Sequence, residues 1–359
     1  MTKKHRNHDW IYRIRCYVAI AMLAAGVTLI PEVSTSQPAQ QPEAASSFTV
    51  LYNFTGGEDG ANPAAGLIRD ASGQLYGTTY NGGANGWGVV FGLDADGTLA
   101  GVHSFSGPDG ANPAAGLIED AAGNLYGTTY NGGNGNGVIF KLSTTGKETV
   151  LYEFNGPNPT GDGAFPLAGL TLDPSGNLYG TTQQGGTYSA CAGYGCGVVF
   201  ELSAAGKETV LYTFTPPYYV GYPAGGLIRD PSGTLYGTTS GVDYNFNGVV
   251  FKLSPSGTET VLYSFTGSTG GIDGLNPEAG LIRDASGNLY GTTFYGGLDG
   301  DGVVFELSPS AKERVLHSFA GSDGANPLAG LISDKSGNLY GTTYYGGANG
   351  YGVVFKLHP

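Results

Sequence analysis

A chain of 359 residues with 64 Gly, 24 Tyr and a formal net charge of −13 is too acidic to hold nucleic acid by neutralising its phosphates. So much Gly would argue for disorder if it fell at random. Here it recurs in register between short apolar segments, which is turn chemistry in an all-β chain.

The N-terminus comes first. Lys3, Lys4, Arg6, Arg13 and Arg15 precede an apolar run from Cys16 to Ile30, and Pro31 ends it. A run of that length suits a signal-peptide core and falls short of a membrane span. Residues 1–39 therefore read as an export signal, with cleavage near Gln37-Pro38-Ala39 and an uncleaved N-terminal anchor as the alternative. Residues 40–47 read as a linker and 48–359 as a single domain. Cys16 precedes the apolar run and is not placed for lipid attachment. Without residues 1–45 the body keeps 11 basic and 26 acidic residues, a balance that fits a soluble periplasmic or extracellular monomer with no membrane span in the mature chain.

From residue 48 onward one unit repeats. LYGTT occurs with its Leu at 75, 125, 178, 235, 289 and 339. A period near 50 residues with several short strands per unit marks a propeller or a related array. Four segments recur: a (GLIRD), b (NLYGTT), c (GVVFKL) and d (TVLYSF). The sixth unit has a, b and c only, while an extra d copy, Phe48–Phe54, stands before the first unit. An open row of sheets would leave strand edges unpaired, and propellers manage edges by radial arrangement. The expected fold is thus an all-β, six-bladed β-propeller of four-stranded blades, with the N-terminal strand completing the last blade. A linear β-solenoid gives no reason for the displaced strand. Strands apolar on both faces suit sheets sandwiched between neighbours. The repeated Tyr76, Tyr126, Tyr179, Tyr236, Tyr290 and Tyr340 are then packing residues, and His103 and His317 stand in for the Tyr of segment d.

The motif AGLI-x-D-xx-G-x-LYGTT, followed by GG and G-VVF-x-L, covers roughly residues 48–358 in six copies. It resembles the GloVer tandem-repeat family of exported bacterial proteins, whose members carry a choice of C-terminal anchors. The resemblance implies an exported, propeller-like protein and carries no reaction to transfer. Leu357-His358-Pro359 forms no apolar tail, so C-terminal anchoring is not expected.

Export would leave Cys191 and Cys196, both in one loop of the third unit, to form a disulfide. Chain entropy gives so short a bridge about 2 kcal/mol. Two thiolates with no His nearby do not complete a zinc shell.

The a–b and c–d turns keep constant length, while the b–c and d–a loops take every insertion. Variable loops on a rigid frame are where binding groups sit. The turn Asp (Asp70, Asp120, Asp173, Asp230, Asp284, Asp334) is explained by Asx-turn bonding. The d–a loops offer Asp59, Asp109, Asp162, Asp273 and Asp323, with Asn62, Asn112, Asn276 and Asn326; the fourth unit offers Tyr219 and Tyr222. The b–c loops add Tyr80, Asn81, Trp87, Tyr130, Tyr295 and Tyr344. Aromatic faces and amides on one rim can stack on a sugar and read its hydroxyls. The competing account is that Asp-Gly and Asn-Pro only build turns.

No metal or cofactor is expected. Asp94-x-Asp96-Gly and Asp299-x-Asp301-Gly resemble fragments of calcium loops without the later bidentate acid, and read as solvated turns. H-E-x-x-H, G-x-S-x-G and P-loop motifs are missing. Six near-copies favour a non-catalytic binding, adhesion or scaffold module, directed at glycan or a cell-surface protein. The alternative is a propeller enzyme, a lyase or glycan hydrolase, with its site at the loop-rich end of the channel.

Overall fold

LYGTT is the second strand of every blade. In the second repeat strand a is Ile118–Glu119, b is Leu125–Thr129, c is Val138–Leu142 and d is Glu148–Glu153, paired antiparallel in the order a-b-c-d. The computed structural model describes residues 51–94, 97–157, 161–187, 191–215, 222–240, 247–267 and 272–359. Within them the pattern recurs as six antiparallel sheets, a six-bladed β-propeller. A 3-10 turn lies at Cys191–Gly193.

The local sequence explains the register. Gly127 pairs with Phe140 across strands b and c, and a Cβ on Gly127 would lie 2.6 Å from the Phe140 ring. The Gly of LYGTT thus makes room for the ring lying over it. The two Thr side chains are stitches. Thr129 Oγ1 donates to Asn131 O (2.7 Å) and accepts from Val138 N (3.2 Å), tying the strand end to its loop. Thr128 Oγ1 donates to Ala168 O of the next blade (3.3 Å).

Packing between blades is aromatic. Phe105 at the end of one strand d meets Phe140 in strand c of the following blade edge to face at 5.1 Å, and Phe154–Phe200, Phe214–Phe251, Phe265–Phe305 and Phe319–Phe355 repeat the contact at 5.1–5.3 Å. Burying each ring is worth about 1.5–3 kcal/mol, with about 0.5–1.5 kcal/mol more for the edge-to-face geometry. The blades meet just ahead of strand a, where a Cβ added to Gly116 or Gly169 would stand in ordinary contact, at 3.5 Å, with Gly66 O or Gly116 O of the preceding blade.

The repeated Tyr residues pack as expected and also donate. Tyr126 OH bonds Asp120 Oδ2 (2.9 Å), while Asp120 Oδ1 accepts Ala122 N and Asn124 N (both 2.9 Å). Asp173, Asp230, Asp284 and Asp334 receive the same Tyr hydroxyl. In the first blade Tyr76 OH goes to Gln74 Oε1 instead.

The N-terminal segment carries the contacts of a strand d. Phe54 meets Phe91 at 5.0 Å and Tyr52 meets Phe54 at 5.2 Å, matching Phe154–Phe200 and Tyr152–Phe154. Phe48–Val50, the first part of the displaced copy, lie outside the described residues. Among the described residues the sixth sheet holds three strands, Ile332–Ser333, Leu339–Thr342 and Val354–Leu357. Its face toward the first blade is uncovered: Val354 is 81% exposed, whereas its counterparts Val90, Ile139, Val199, Val250 and Val304 are at 0%.

Candidate ligand-binding rim

Each d–a loop Asp is already engaged by its own blade. Asp109 accepts from Ser106 N (2.7 Å) and Ser106 Oγ (3.0 Å), and faces His103 Nε2 at 3.1 Å. Asp273 takes Tyr263 OH (2.7 Å), Thr266 N and Thr266 Oγ1 (both 2.9 Å). Asp162 takes Tyr152 OH, Asn155 N (2.9 Å) and Asn155 Nδ2 (2.7 Å). Asp59 repeats the arrangement with Thr55 and Tyr52, and Asp323 with Ala320 N and His317. The Thr55 hydroxyl, with its backbone N–H, holds the Asp59 carboxyl below the usual range. His103 and His317 therefore do what Tyr does elsewhere, bracing the loop from strand d.

The Asn residues shape the loops. Asn62, Asn112, Asn276 and Asn326 all sit at φ of 56–58°, a left-handed position that Asn tolerates better than most residues. Asn112 Nδ2 donates to Tyr80 O and Asn326 Nδ2 to Phe294 O (both 2.9 Å). Asn81 Nδ2 reaches Asn62 Oδ1 at 3.1 Å. Phe165 and Tyr222 occupy the same register at φ of 58° and 54°.

The aromatics divide into two sets. Tyr80, Tyr130 and Tyr222 are half-buried, and burial raises their hydroxyl pKa values. Tyr130 stacks on Phe165 at 5.0 Å and sets its hydroxyl 3.4 Å from Gln183 Oε1. Trp87, Tyr295 and Tyr344 face outward, with Trp87 44% exposed. Tyr345 and Tyr351, which the sequence did not single out, are exposed beside them. Tyr351 holds the register of Trp87, the residue before the last loop Gly; Asn136, Cys196, Asn247 and Asp301 fill it elsewhere. Exposed rings thus lie on the fifth, sixth and first blades, and Tyr194 in the long loop of the third blade adds one more. Tyr219 lies outside the described residues.

Cys191 and Cys196 form the expected disulfide, with Cα atoms 5.3 Å apart. It reaches further inward than a loop brace: Cys196 is fully buried and belongs to a core cluster with Val199, Phe214 and Leu227. Of the two acidic turns, Asp94 Oδ1 accepts Gln74 Nε2 at 2.8 Å, Asp96 lies outside the described residues, and burial with Asp299 and Asp323 nearby raises Asp301. One acid has no equivalent in the other repeats. Glu278 enters strand a of the fifth blade where the others have Ala64, Ala114, Leu167, Ala224 and Leu328, and burial pushes it up to about 7.

Geometry and repeat together define a tandem-repeat β-propeller whose length variation falls in the b–c and d–a loops. The Gloeobacter/Verrucomicrobia repeat model matches residues 40–240 and 191–359, and the chain belongs to that family. No curated protein sequence matches it significantly. Among solved structures it is similar to a gluconolactonase from Xanthomonas campestris (TM-score 0.51, 16% identity, 84% of this chain and 88% of that one). A luciferin-regenerating enzyme gives TM-score 0.50 at 14% identity over 84% and 92% of the two chains. The extracellular domain of a one-component system from B. thetaiotaomicron gives 0.52 at 15% over 82% and 35%. At these identities the likeness is one of fold. No helix among the described residues is long and apolar enough to cross a membrane.

Proposed function

We propose that the protein is an exported, non-catalytic binding module that holds carbohydrate against the aromatic rim of its fifth, sixth and first blades. The observation that carries this reading is the division of labour on the loops. Asp and Asn side chains are hydrogen-bonded within the frame, while Trp87, Tyr295, Tyr344 and Tyr345 present exposed ring surface. Such rings stack on the apolar faces of sugars. Export rests on the basic-then-apolar segment within residues 1–39 and on the disulfide, which suits an oxidising periplasmic or extracellular compartment. A glycan array on the mature protein is the test. Binding that Trp87→Ala or Tyr344→Ala weakens by about 1–2 kcal/mol, at unchanged melting temperature, supports the reading. An array blank across all glycan classes overturns it.

Glu278 favours a second reading, a propeller enzyme. A carboxyl titrating near neutral pH can both give and take a proton, and it stands at the inner edge of the blades. The similarity to a gluconolactonase makes a sugar lactone the first substrate to try. Loss of turnover in Glu278→Gln with an unchanged melt would establish this reading; wild-type protein inert toward lactones and glycosides would remove it.

A further inference from the structure

The outer strand of each of four blades begins with Glu, and each Glu lies against the blade before it. Glu148 meets Asp109 and His103, with donor atoms of all three within 4.8 Å of one another. Glu208 faces Asp162 and Tyr152, and Glu313 faces Asp273 and Tyr263. Glu259 meets the Tyr212 hydroxyl. From their own blades the opposed residues on strand c are apolar: Leu142, Leu202, Leu253 and Leu307. In all four Glu residues one oxygen, Oε1, is buried and has no hydrogen-bond partner. Among the described residues no Lys or Arg compensates. Lys147, Lys207 and Lys312, one residue earlier in the chain, are exposed, and none of the ion pairs among the described residues reaches these Glu.

An orphaned, buried carboxylate oxygen beside a second carboxylate is a costly arrangement if both groups are ionised. The loop Asp residues are fixed as acceptors, since Asp162 and Asp273 each take three donors. The proton therefore belongs on Glu.

We propose that three of these blade junctions are proton-locked: Glu148, Glu208 and Glu313 are held as neutral acids between blades, and losing those protons as pH rises loosens the outer rim together. Burial first, and the facing Asp second, push Glu148, Glu208 and Glu313 up to about 7; burial raises Glu259 in the same direction. A carboxyl whose folded pKa exceeds its unfolded value contributes stability that is fully present below the unfolded pKa and is lost as pH climbs through the folded one. The window thus runs from the ordinary Glu value of 4.5 to about 7. The parts loosened would be the d–a loops that the Asp residues anchor. The lock is missing beside the seam, where Leu99 and Phe48 replace Glu.

The test is thermal unfolding of the full chain between about pH 5 and about pH 8, wild type against Glu148→Gln/Glu208→Gln/Glu313→Gln, since Gln copies the neutral acid in shape. Wild type should lose about 5 °C or more across the range, and the triple variant at most half of that. The infrared carbonyl band of protonated carboxyl should persist at about pH 6 in wild type and shrink in the variant. If the triple variant does not fold, Glu208→Gln alone should show about a third of the effect. Parallel melting curves, or no protonated-carboxyl band above about pH 5.5, would overturn the proposal.

Discussion

The junction between the third blade and its neighbours and the seam between the sixth blade and the first use the same residue types to opposite effect. Val199 in strand c of the third blade is fully buried, while Val354 at the same register of the sixth is 81% exposed. Leu170 and Leu67 show the same contrast at the entry to strand a, at 5% and 53% exposure. The pairing of strands b and c is the same in both: Phe200 and Phe355 lie over Gly180 and Gly341 alike. Burial in a repeat array is created by the neighbour and not by the unit itself. At the seam the neighbour's part falls to the N-terminal segment, which covers Phe91 through Phe54.

Emptying a packed junction should have the largest effect. Phe200→Ala removes a ring with no exposed surface and should cost about 3–5 kcal/mol in denaturant unfolding. Val354→Ala, the seam counterpart of a core valine, should cost less than about 0.5 kcal/mol. Equal losses would mean that the seam is as packed in solution as the other junctions.

A smaller loss is expected on deleting Phe48–Phe54. Tyr52 and Phe54 are half-buried, and removing them should cost about 2–4 kcal/mol and promote self-association through the exposed edge. A truncated protein that melts like wild type and stays monomeric would show that the displaced segment has no part in holding the array.

The period, the number of blades and the strand register were legible because they are local and repeated six times. So was the turn Asp, whose backbone donors lie within four residues of it in the chain. The disulfide was legible from two Cys in one loop. The paired Glu and Asp were not, since Glu148 and Asp109 are 39 residues apart and meet only when blades are set side by side. The same geometry blurs the separation of two ends that loop lengths suggested: Glu148 follows a short c–d turn and still reaches a d–a loop. The rim aromatics were partly legible. Trp87 stood out as a rare residue, whereas Tyr345 and Tyr351 look like any other Tyr in a chain with 24 of them.

In the proposed binding mode the outward aromatic loops, and not the turns, meet the glycan. Calorimetric titration of the best array glycan into wild type, Trp87→Ala and Lys207→Ala tests it directly. Trp87→Ala should bind roughly 5- to 30-fold more weakly, the equivalent of about 1–2 kcal/mol, and Lys207→Ala should keep wild-type affinity. Unchanged affinity in Trp87→Ala, or a loss confined to Lys207→Ala, would contradict it.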